Sequence, residues 1–117
     1  MSDSVRIFYN PRCSKCRLTI DILDDKGLDT SVVEYLKTPP DNTELTEILQ
    51  LLGMEPRDLM RKQETPYKDN NLDNPELSRE QLIQAMVDNP ILIERPIVIK
   101  GNKAIIGRPP EKVLEIL

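Results

Sequence analysis

The sequence predicts an α/β fold, a mixed four-stranded sheet with a helical insertion between its two halves. Three observations carry that prediction. A strand, turn, helix and strand follow one another at the N-terminal end. Amphipathic helical patterns come next with no strand among them. Two apolar strands joined by Gly101-Asn102 then lead into a proline-initiated terminal helix.

The first half reads clearly. Val5-Arg6-Ile7-Phe8 alternates as a strand does. Asn10-Pro11 breaks it, and Ser14 to Lys26 reads as a helix with Cys16, Ile20 and Leu23 on one face. Gly27 stands where a helix C-cap belongs. Ser31-Val32-Val33-Glu34-Tyr35-Leu36 reads as a second strand, ended by Pro39-Pro40.

The middle is helical. Asp41 with Glu44 forms a capping pair before a helix whose inner face is Leu45, Ile48, Leu49 and Leu52, stopped at Gly53. Pro56 starts a short helix to Lys62. Thr65 to Pro75 is polar and carries two prolines, so it reads as a loop or flap with short helical turns. Ser78 and Gln81 form a second capping box, opening a helix that closes at Asn89-Pro90.

The last part is a hairpin and a helix. Pro96 to Lys100 and Ala104 to Ile106 flank the two-residue turn Gly101-Asn102. Pro109-Pro110 begins a helix carrying Val113, Leu114 and Leu117. The order β-α-β, helical block, β-β-α is the thioredoxin-like arrangement. No repeat or linker divides it, so one domain over 1–117 is expected.

Composition narrows the function. The chain has 117 residues, enough for a real core, and 31% are charged. A net charge of -4 argues against non-specific nucleic-acid binding, which needs cations against phosphates. No stretch approaches the ~20 apolar residues of a membrane span. Met1-Ser2-Asp3-Ser4-Val5-Arg6 lacks the apolar core of a signal peptide, so a cytoplasmic location is expected. No heptad pattern appears, and a monomer is expected.

The chain has no histidine and two cysteines, Cys13 and Cys16. That excludes Ser-His-Asp and Cys-His nucleophiles, and leaves a tetrahedral zinc site short of Cys and His ligands. No metal or bound cofactor is expected. A lone Cys-x-x-Cys is then redox-active or nucleophilic rather than structural. Cys13 follows a strand and turn and opens a helix, where unpaired N–H groups and the helix dipole favour thiolate. Arg12, Lys15 and Arg17 add positive charge nearby. Cys13 is expected to be exposed there, with Cys16 facing the core one turn on. The alternative is that both are small core residues.

Five segments carry a family resemblance. Tyr9-Asn10-Pro11-Arg12-Cys13-Ser14-Lys15-Cys16-Arg17 closely resembles the active-site loop of the ArsC-type, glutaredoxin-coupled arsenate reductases. Leu59-Met60-Arg61-Lys62, Asn89-Pro90-Ile91-Leu92-Ile93, Glu94-Arg95-Pro96-Ile97-Val98 and Gly107-Arg108-Pro109-Pro110-Glu111 are similar to later segments of that family, in its order.

The resemblance implies a catalytic Cys13, anion-binding Arg61, Arg95 and Arg108, and a cis-proline at Pro96. It implies thiolate attack on arsenate, with glutathione as co-substrate and glutaredoxin as the resolving partner. Two departures stand out. Tyr9 replaces the histidine of the plasmid-type enzymes, and Cys16 occupies a position where relatives of the chromosomal branch commonly carry Ser. Cys16 is therefore a candidate resolving thiol. It also brings the chain nearer to the Spx-type regulators, which bind RNA polymerase and use a Cys-x-x-Cys pair as a redox sensor. A general thiol–disulfide oxidoreductase using Cys13 and Cys16 is a further alternative.

Overall fold

In the computed structural model, which describes residues 4–117, the alternating segment becomes β1, Ser4–Tyr9. The leader reading at Met1-Ser2-Asp3 lies outside the described residues. Helix α1, Ser14–Asp25, leads to β2, Asp29–Glu34, which pairs parallel to β1. β3, Ile97–Lys100, pairs antiparallel to β1, and β4, Lys103–Ile106, antiparallel to β3. The sheet order is β2-β1-β3-β4, a mixed thioredoxin-like sheet.

These elements belong to one of two compact units. It runs to Thr38 and resumes at Arg95, ending at Leu117. Its core on one sheet face is Val5, Ile7, Leu23, Val98 and Val113, with Ile20, Ile22, Leu28, Ile105, Ile116 and Leu117 packed around them. Phe8 and Ile97 point to the other face, where Phe8 stacks on Tyr35 at 6.4 Å. Burial on both faces marks β1 as a central strand.

The elements differ from the sequence reading in three places here. β2 begins two residues earlier than Ser31 and stops before Tyr35. Parallel pairing of Ser4 with Asp29 through Tyr9 with Glu34 sets its ends, and a turn from Lys37 and Thr38 onto the Glu34 carbonyl closes it. Thr19, not only the apolar Ile20, lies on the inner face of α1. Its hydroxyl is satisfied by the Lys15 carbonyl at 2.7 Å, so it can be buried. The terminal helix is a 3-10 helix, Pro110–Ile116, and Leu114 is exposed. Three residues per turn put Ile116 beside Val113 instead.

α1 ends as its sequence indicates. Gly27 is left-handed at φ 69, its N–H bonds the Asp24 carbonyl, and the Leu28 N–H bonds the Leu23 carbonyl. That pair of bonds satisfies the helix's last carbonyls.

Gly107 has a different reason to be glycine. A Cβ there would come within 2.9 Å of Pro96 Cγ and 2.9 Å of Thr19 Oγ1, and 3.4 Å of Val113 Cγ1. The proline ring is rigid and the threonine is pinned, so neither yields cheaply. Gly107→Ala should cost about 1–3 kcal/mol, read as a lowered urea midpoint. An unchanged midpoint would show that the site has slack.

The second unit spans Pro39–Glu94. α2, Asn42–Leu52, is capped by Asp41 and buries Leu45, Ile48 and Leu49. A 3-10 turn, Pro56–Leu59, is shorter than the helix expected to Lys62. The chain turns extended at Met60, which bridges Ile93. α3, Thr65–Asp69, and α4, Arg79–Asp88, follow, the latter with the complete Ser78–Gln81 capping box. α4 packs against α2 and against the 3-10 turns at Pro56–Leu59 and Pro90–Leu92.

The stretch from Thr65 to Pro75 is held in place. Leu72 is buried, and Arg57 donates from Nε to the Leu72 carbonyl at 2.9 Å and from Nη2 to the Asn74 carbonyl. A side chain outside the segment thus replaces the ladder hydrogen bonds that a loop lacks. Among the described residues no helix is long and apolar enough to cross a membrane.

Candidate active site

The loop after β1 is a turn built by its own residues. The Cys13 N–H bonds the Asn10 carbonyl at 2.9 Å, and the Asn10 side chain accepts from the Arg12 N–H at 3.0 Å. Asparagine at the first position and proline at the second suit such a turn. Its consequence is placement. Cys13 becomes the N-cap of α1, in extended conformation, and Cys16 the third helical residue.

Cys13 is only 6% exposed, against the expectation of an open thiol, and Cys16 is fully buried. The cover comes from far along the chain. Arg108 Nη2 lies 4.0 Å from Cys13 Sγ, and its Nε is anchored on the Arg95 carbonyl at 2.7 Å. The Arg95–Pro96 and Arg108–Pro109 peptide bonds are both cis. Arg95 also acts directly on the Cys13 sulfur. Two arginines separated by β3 and β4 therefore meet one sulfur.

The electrostatics separate the two thiols. Burial pushes Cys13 up, but the Cys16 amide, the Cys16 thiol and the Arg95 guanidinium together outweigh it, so its pKa lies below the ordinary cysteine value. The sulfur makes no close capping bond; the Cys16 N–H faces it from the first turn and acts as a dipole. Cys16 goes the other way. Burial, reinforced by the charge of Cys13, pushes it up to about 12 against the pull of the Asn10 backbone and Arg95. One thiol is prepared to be a thiolate and its neighbour to stay protonated.

One of the nearby cations named by the sequence does other work. Arg17 Nη1 donates to the Pro11 carbonyl at 2.8 Å and so braces the turn. Arg12 is exposed. The guanidiniums that bear on Cys13 are those of Arg95, by its charge, and Arg108, by contact, and only the fold delivers them.

Arg61 lies in the second unit. Its N–H bonds the Leu92 carbonyl at 2.6 Å, its Nε pairs with Glu64 at 3.2 Å, and its Nη1 pairs with Glu94 at 2.9 Å. Burial lowers its pKa, but the two carboxylates more than offset that and raise it, so the guanidinium is permanently charged. Sequence reasoning named the arginine and missed both carboxylates. Glu64 had a local signal, since it closes a turn three residues after Arg61. Glu94 had none, being brought by the Met60–Ile93 bridge. Thr19 and Gly107, the latter packed closely against both Thr19 and Pro96, were also missed. Among the described residues no group of three or more His, Cys, Asp or Glu side chains could hold a metal ion.

A cysteine at a strand-turn-helix junction, its pKa lowered by the first helical turn and an arginine, on a β2-β1-β3-β4 sheet, defines a thioredoxin-like protein. The chain belongs to the ArsC family, whose model matches residues 8–116. It is 54% identical to the uncharacterised protein YfgD of Escherichia coli (strain K12), over 100% of this chain and 99% of that one. It is 48% identical to the arsenate reductase of Haemophilus influenzae (strain Rd), covering 97% and 99%. The solved arsenate reductase of Vibrio cholerae superposes with a TM-score of 0.96 at 47% identity, with 100% of both chains covered.

Proposed function

We propose that this protein reduces arsenate to arsenite, with the Cys13 thiolate attacking arsenic. The observation that carries the reading is the pair of arginines at the Cys13 sulfur, Arg108 at 4.0 Å and Arg95 lowering its pKa. The names of the similar proteins from Haemophilus influenzae and Vibrio cholerae support the choice of oxyanion.

The chemistry follows from charge. Arsenate and thiolate repel one another, and guanidinium groups offset both charges while offering paired N–H donors to a tetrahedral oxyanion. Arg95 and Arg108 hold the anion while Cys13 bonds to arsenic. Glutathione and glutaredoxin supply the electrons and return the cysteine to its thiol. Glutathione and glutaredoxin work in a reducing compartment, and the cytoplasm is the location we assign.

The test is arsenite formation from arsenate with glutathione and glutaredoxin. Turnover that needs all three components supports the reading; no arsenite above the protein-free rate overturns it. The third arginine named by the resemblance is tested by kinetics. Arg61→Lys keeps a cation between Glu64 and Glu94 but loses the fork. KM for arsenate should rise about tenfold, since a charged hydrogen bond is worth ~1.5–3 kcal/mol. An unchanged KM would remove Arg61 from the substrate's ligands.

A further inference from the structure

Cys13 and Cys16 are the only cysteines of the chain, and both are free and buried. They occupy the N-cap and the third position of α1. A rise of about 1.5 Å per residue keeps such a pair inside the ~4.4–6.8 Å Cα separation that a disulfide tolerates. Each thiol acts on the other. Access favours the internal partner. Cys13 is 6% exposed, with Arg108 Nη2 4.0 Å from its sulfur, so an outside thiol has a narrow approach, whereas the Cys16 side chain is within hydrogen-bonding reach of it.

We propose that Cys16 is the resolving thiol of this protein: it displaces whatever group the Cys13 sulfur has bonded, closing a Cys13–Cys16 disulfide. For arsenate this rests on the function proposed above. Cys13 sulfur bonds to arsenic, and one arsenate oxygen takes two protons and leaves as water. Cys16 sulfur then attacks Cys13 sulfur. The S–S bond forms, the S–As bond breaks, and its electron pair stays on arsenic. Arsenic falls from As(V) to As(III) and departs as arsenite, while the two thiols are oxidised to the disulfide. With oxidised glutathione, Cys13 first forms a mixed disulfide, releasing one glutathione; Cys16 then displaces the second as its thiolate.

The order of these steps is built in. While Cys13 is a thiolate, its charge helps to hold Cys16 protonated. Once the Cys13 sulfur is bonded, that charge is gone, but the Asn10 backbone and Arg95 still favour a Cys16 thiolate. Burial still holds Cys16 up, but one of the influences keeping it protonated is lifted only after Cys13 has reacted. The reduced chain holds the two electrons of one turnover, and glutathione with glutaredoxin is needed only to reopen the disulfide for the next.

The experiment has two arms. In the first, the reduced full chain, freed of small thiols, receives excess arsenate without glutathione. Close to one arsenite per chain should appear, with both thiols lost to alkylation under denaturing conditions and restored by dithiothreitol. Cys16→Ser should release none. In the second arm the chain receives oxidised glutathione. The wild type should end as an intramolecular disulfide carrying no glutathione, and Cys16→Ser should retain one adduct on Cys13. A wild type that keeps glutathione on Cys13 with Cys16 still alkylatable overturns the proposal, whether or not the variant folds. Disulfide closure with oxidised glutathione, but no arsenite under any thiol condition, would sustain the resolving role and sink the arsenate reading.

Discussion

Replacing Cys13 by serine should reduce arsenate reduction to below about one thousandth of the wild-type rate, as loss of a nucleophile does. The reason is ionisation. The Cys13 thiol is held below its ordinary pKa by Cys16 and Arg95 against the opposing effect of burial. A serine hydroxyl in the same place stays protonated at neutral pH and cannot bond to arsenic as a thiolate does. The fold should survive the change. Serine is a favoured N-cap, able to accept from the first-turn N–H groups that the sulfur does not bond closely. Urea unfolding of Cys13→Ser should match the wild type or exceed it slightly. Lost activity with intact stability assigns the chemistry to the sulfur; wild-type turnover would remove Cys13 from the mechanism.

Arg95→Met should have the second largest effect, a fall in kcat of about 10²–10³, the usual cost of removing one preorganised donor at a reacting anion. It should also move a titration. Cys13 has a lowered pKa, so its thiolate dominates above that pKa and is lost as pH falls through it. Arg95 contributes to the lowering by its hydrogen bond and its charge. Without it the thiolate should appear only at higher pH. The rate of alkylation by iodoacetamide against pH reads this directly and needs no arsenate. The profile of Arg95→Met should be displaced toward alkaline pH, while Arg95→Lys, which keeps the charge, should shift less yet still lose kcat through the missing fork. Superimposable profiles for all three proteins would show that Arg95 leaves the sulfur alone.

Much of this protein was decided by the sequence alone. The alternation of Val5 to Phe8, the Asn10-Pro11 turn and the periodic face of α1 placed Cys13 at a helix start. The capping pairs Asp41–Glu44 and Ser78–Gln81 fixed where α2 and α4 begin. Gly101-Asn102 fixed the β3–β4 hairpin, which closes at the Lys100–Lys103 pair. All of these are local effects, in which a backbone group finds its partner within a few residues, so the pattern is written in adjacent letters.

The tertiary structure decided the rest. The ends of β2 follow from pairing with β1, not from its own apolar run. The terminal helix tightened to a 3-10 helix and turned Ile116 inward in place of Leu114. Thr19 is inside because one carbonyl four residues back satisfies it. At the site, the sequence put three cations beside Cys13, yet Arg95 and Arg108 are the ones that bear on its sulfur. Arg61 acquired two carboxylates, only one of which lay close in sequence. Cys13, expected in the open, is covered. These outcomes depend on contacts between residues tens of positions apart. Strand register and burial create such contacts, and no local pattern encodes them.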